Sequence, residues 1–95
     1  MNKIELLAGS LSNDLLRVAS LTHRGSKQAA RRFLQEAQRW SKPLQKLNIP
    51  DYIKNIAKEV STQPKNNISL AMAEQYLMYG VLLQNYTLQT AKKTK

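Results

Sequence analysis

Apolar residues recur at intervals of three and four along most of the chain, a spacing that predicts a succession of helices. Ile4, Leu7, Leu11, Leu15 and Val18 make one stripe of a first helix, expected from about Lys3 to Leu21. Asn2 and Glu5 have the spacing of a capping box at its start. Gly9 and Ser10 form a soft point where it could bend. Thr22, His23, Arg24 and Gly25 read as its stop, with cationic side chains beside the terminal carbonyls and then a glycine free to adopt the left-handed cap. Ser26 is a natural N-cap for a second helix reaching about Ser41, and Pro43 should end it, because the residue before a proline is pushed out of the α region. Pro50 and Asp51 open a third helix, with Ile53, Ile56, Ala57 and Val60 inward and Lys54 and Lys58 outward. Ser61 to Asn67, with Pro64, is a loop.

The last helix is expected over about Ile68 to Thr90, capped by Asn67 or Ser69. Leu70, Ala73, Leu77, Val81 and Leu88 supply one stripe, and Ala71, Met72, Met78, Leu82 and Leu83 widen it to nearly the full circumference. A helix apolar almost all round belongs at the centre of a bundle or is shared with another subunit. Gly80 within it costs up to ~1 kcal/mol relative to alanine, so it marks a close helix crossing or a local break at Tyr79 to Leu83, and the crossing is favoured. The fold class predicted is all-α: one bundle of about four helices over residues 1–91, C-terminal helix central, followed by a frayed basic tail at 92–95.

At 95 residues the chain makes one domain, with a radius of gyration expected near 12 Å. Cysteine is absent, which excludes a disulfide scaffold and a thiolate metal site and favours a cytoplasmic protein. Glu5, Gly9, Ser10, Ser12, Asn13 and Asp14 interrupt any apolar signal segment, and the longest mainly apolar run, Tyr76 to Leu83, is far short of a bilayer span. A soluble protein is expected.

Constellations for catalysis are missing. His23 is the sole histidine, six acidic residues are scattered, and three glycines leave no phosphate-cradling loop. No enzyme, no cofactor and no metal is therefore expected. His23 reads as a helix-terminal group, Trp40 as core, and Tyr76 and Tyr79 as core or interface; Tyr52 and Tyr86 are undetermined.

The charge is what changes the picture. Fifteen Lys and Arg against six Asp and Glu give a net +9, with a pI near 10.1. On the second helix Ala30, Phe33, Leu34, Ala37 and Trp40 share one arc. Lys27, Arg31, Arg32, Arg39 and Lys42 share the other, interleaved with Gln28, Gln35 and Gln38, and Glu36 stands at the boundary. With Arg24 these five make the candidate nucleic-acid-binding residues, about 25 Å end to end at the helical rise. Arginine engages phosphate bidentately, lysine acts as a point charge, and glutamine adds neutral hydrogen bonds, so the face suits nucleic-acid backbone, DNA or RNA, without sequence readout. The alternatives are a merely solvated face, or a helical adaptor that binds an acidic protein partner. A sequence-reading helix-turn-helix fits less well, because the preceding helix is too long. A membrane surface would compete with the core for the apolar arc, so no membrane partner is expected. Self-association through residues 68–83 is expected, most simply as a homodimer.

In size, helicity and charge, and in the stretch Gly25-Ser26-Lys27-Gln28-Ala29-Ala30-Arg31-Arg32-Phe33, the chain resembles the small helical subunits of CRISPR surveillance complexes. The resemblance implies backbone contacts from Arg31, Arg32 and Arg39, copies packed side by side, and partner subunits within a larger complex.

Overall fold

α1 spans Lys3–His23, and its start is fixed locally. The Asn2 side chain accepts from the Glu5 amide at 2.8 Å, which caps the helix, and it donates to the Glu5 carboxylate at 3.1 Å, so the two expected residues meet through their side chains. Its end is a Schellman motif: the Ser26 N–H donates to Leu21 O and the Gly25 N–H to Thr22 O, with Gly25 at φ 80°. No break occurs at Gly9 or Ser10. α2 spans Lys27–Leu44, α3 Asp51–Thr62 and α4 Leu70–Lys93. The computed structural model describes residues 2–64 and 66–93, with side chains through residue 90. The chain is an all-α four-helix domain with a radius of gyration of 12.7 Å and extents of 41 × 21 × 19 Å.

Three local expectations change. Ser26 stands at the N-cap of α2 but makes no side-chain bond there. Pro43 does not stop α2; it sits inside the last turn, where burial of Leu44 in the core rewards one more helical step. In α4, Ser69, one of the two caps expected, serves as the cap, its hydroxyl accepting from the Met72 amide at 3.1 Å. The helical backbone also continues to Lys93, so it enters the expected tail, of which 94 and 95 lie outside the described residues.

α1 is the central helix. It packs against both α2 and α4, while α2 carries α3. The centre expected for α4 is thus taken by α1, which has α2 on one side and α4 on the other. At the crossing, a Cβ on Gly80 would stand 2.7 Å from Leu16 Cδ2 and 3.3 Å from Ser12 O. The buried Ser12 hydroxyl donates to Gly80 O at 2.6 Å. Gly80 therefore marks a close helix crossing, as its place in an apolar helix predicts.

The core joins Leu7, Leu11, Leu15 and Val18 of α1, Leu34, Ala37 and Leu44 of α2, and Ile53, Ile56, Ala57 and Val60 of α3. Apart from Leu44, expected beyond the end of α2, these residues lie in the stripes expected from spacing. From α4 it takes Ala73, Tyr76, Tyr79 and Leu83. Leu70, Leu77, Val81 and Leu88, four of the five residues in the expected α4 stripe, face solvent instead. α3 meets α4 through long side chains: Tyr52 and Tyr86 pack edge to face at 6.5 Å, and the Tyr79 hydroxyl donates to Glu59.

Candidate nucleic-acid interface

Helix geometry and one buried glutamine set the solvent face of α2. At about 100° per residue, Lys27, Arg31, Lys42, Gln35, Gln28, Arg39 and Arg32 follow one another over an arc of about 140°, and all are exposed. No acidic residue lies inside this arc; Glu36 is beyond its edge, where its carboxylate pairs with Arg39 at 3.1 Å. That exposed pair adds little stability, and it leaves Arg39 partly engaged. Gln38 is not part of the face, contrary to its place in the sequence pattern. It is buried, and its amide donates to Val60 O at 3.1 Å and Gln63 O at 2.9 Å. Those carbonyls end α3, so Gln38 caps α3 from α2 and holds the following loop along α2.

That loop adds residues that spacing could not assign. Asn66 lies with Gln28, Arg31, Arg32 and Gln35 around one shallow depression. Next to it, at the end of the bundle, Lys27 and Arg31 line a cleft of about 150 Å³ with Thr22, Asn66, Asn67 and Ile68. Two cations and two amide side chains thus converge beside the N-terminal, electropositive end of α2.

Arg24 belongs to a different surface. With Arg17 it lines a depression between α1 and α2, over Ala29 and Phe33, and the Arg17 guanidinium stacks on the Phe33 ring at 5.3 Å from its centroid. Of the six candidate residues, Lys27, Arg31 and Arg32 are gathered at the N-terminal half of α2. Arg39 and Lys42 continue the arc, and Arg24 turns to the other flank beside Arg17. The Arg17 contribution was invisible because it depends on how α1 and α2 pack.

Trp40 is partly buried against the core, and its indole N–H donates to Asp14 at 2.9 Å. Burial raises the Asp14 carboxyl above its usual range, and the bond from Trp40 offsets part of that rise. This pairing ties Trp40 of α2 to α1. Tyr76 and Tyr79 are buried, as expected for core or interface. Burial, reinforced by Glu59, pushes the Tyr76 hydroxyl up to about 12. His23 closes the last turn of α1 and is exposed. Among the described residues no three His, Asp or Glu side chains gather as metal ligands would, and no helix is long and apolar enough to cross a membrane. Compared with protein-family models, with curated proteins and with solved structures, the chain matches none of them.

Proposed function

We propose that this protein is a non-catalytic helical subunit that binds nucleic-acid backbone without reading sequence, and that it works within a larger assembly. The observation that carries the reading is the exposed arc of Lys27, Gln28, Arg31, Arg32, Gln35, Arg39 and Lys42, which spans α2 without an acidic residue inside it. Its cations extend over about 22 Å at the helical rise, a length that follows several phosphates of one strand. Asn66 and Asn67 add hydrogen-bonding groups beside Lys27 and Arg31. A convex helical face of this kind offers positioning contacts and no base-edge readout. The family resemblance suggested by residues 25–33 gains nothing from the comparisons, so the reading rests on the α2 face alone.

A mobility-shift titration across salt concentrations tests it. Release of counterions from five phosphates gives a log–log slope near −3.5 on single strands and about −4.5 on duplex. Arg31→Ala/Arg32→Ala should weaken binding and flatten the slope by about two contacts, with the melting temperature unchanged because both side chains are exposed. Absence of binding at low salt overturns the proposal. Binding that ignores the double substitution also overturns it for this face.

A further inference from the structure

The exposed side of α4 is the largest feature that nucleic-acid binding leaves unused. Leu70, Leu77, Met78, Val81, Leu82 and Leu88 are between 38% and 59% exposed, a contiguous apolar face of the kind that monomeric proteins seldom leave open. We infer that this face pairs two copies of the chain antiparallel, α4 against α4, about a two-fold axis that passes between Leu77 and Val81.

Two properties of the sequence as folded select a second copy as the occupant. One is the order of residues along the seam. Leu70, Glu74, Leu77, Val81, Gln84 and Leu88 follow alternating steps of four and three, the spacing at which one helix faces another over its length. That series is symmetric about position 79. In the antiparallel register Leu70 meets the partner's Leu88, Leu77 meets the partner's Val81, and Glu74 meets the partner's Gln84. Each apolar residue then finds an apolar one, and each carboxylate finds an amide that can donate to it. A two-fold interface requires such self-complementarity, because the same patch serves both sides. A parallel pairing would set Glu74 against the partner's Glu74, a like-charge contact.

The other property is charge. The chain carries +9 overall, yet between Leu70 and Thr90 its only charged residue is Glu74. α4 is therefore the surface on which two copies repel one another least. The seam runs about 27 Å from Leu70 to Leu88 at the helical rise. It is bordered near Leu88 by a shallow groove of about 150 Å³, lined by Gly9, Asn13, Gln84 and Thr87, that can take in side chains of the second copy. α1 separates α4 from α2, so the pairing leaves both basic arcs free, and it stands whether or not they bind nucleic acid.

Sedimentation of the full chain, nuclease-treated and in 0.5 M salt so that no polyanion bridges copies, tests the pairing. The expected result is a concentration-dependent approach to twice the 10.8 kDa monomer mass. Leu77→Lys and Val81→Lys should each return it to one mass with an unchanged helical circular-dichroism spectrum, whereas Leu6→Lys, exposed on α1, should not. A strict monomer at 100 µM overturns the inference, as does a dimer indifferent to both seam substitutions. Orientation is read by oxidation, since the chain has no cysteine. A mixture of Glu74→Cys and Gln84→Cys chains should cross-link, whereas Glu74→Cys alone should not, its two copies lying about 15 Å apart along the axis. Cross-linking of Glu74→Cys alone, or none in the mixture, overturns the antiparallel register.

Discussion

α2 turns Lys, Arg and Gln toward solvent, whereas α4 turns Leu, Met and Val toward it. Both helices lie against α1. In α2 the apolar and polar residues occupy separate arcs, so one orientation alone buries the apolar side, and charge forbids the reverse. α4 has apolar residues nearly all round, so hydrophobicity does not choose which side goes in. Shape chooses. Gly80 allows close approach to Ser12 and Leu16, so its side goes in with Ala73, Tyr76, Tyr79 and Leu83, and Leu77, Val81 and Leu88 are left outside. A helix with two apolar sides thus turns the one that carries its glycine into its own fold and keeps the other available.

The sharpest way to break this contrast is to truncate leucines on the two sides of α4. Leu83→Ala, at a fully buried site, should destabilise by about 2–5 kcal/mol in thermal or urea unfolding. Leu77→Ala, at a half-exposed site, should change monomer stability by no more than about 0.5 kcal/mol. Equal effects would mean that α4 buries both sides within one chain.

Next in size is the crossing itself. Gly80→Leu should cost about 1–3 kcal/mol, since the added atoms run into Leu16 and the Ser12 carbonyl. Gly80→Ala should cost less, because better helix propensity offsets part of the clash and the Leu16 side chain can yield. A stabilised Gly80→Leu would refute shape as the selector.

On the α2 side, Gln38→Ala should cost about 1–2 kcal/mol by leaving the Val60 and Gln63 carbonyls short of a donor. Arg32→Ala, on the solvent side, should cost almost nothing. Gln38→Ala should also loosen the segment that follows α3 at Gln63, which hydrogen exchange would detect.

The smallest effect concerns Tyr76, whose buried hydroxyl has no hydrogen-bond partner among the described residues. Tyr76→Phe should raise stability by up to about 1 kcal/mol at neutral pH. The hydroxyl titrates higher in the folded chain than its ordinary value of 10.0. Above pH 10 the unfolded chain therefore releases this proton first, and stability falls between about pH 10 and 12. Tyr76→Phe should reduce that alkaline loss, leaving a remainder from Tyr79, which burial also shifts upward. An unchanged alkaline slope would remove Tyr76 as its source.

Much of the fold was legible because it is local. Asn2 with Glu5, the stop at Gly25, and the inward stripe of α3 each follow from interactions within a few residues. So do the segregated arcs of α2, and with them five of the six candidate binding residues on one helix. Chain-distant packing decided the rest. Leu44 carried α2 past Pro43, Gln38 left the polar face to cap α3, and Arg24 joined Arg17 on another flank. Asn66 and Asn67 reached the basic cleft only because the loop is held against α2. Periodicity reports which residues share a side of a helix, and when only one side is apolar that is enough to orient it. When both are, as in α4, orientation is settled by the fit of small residues against a neighbour, and no residue can anticipate that fit alone.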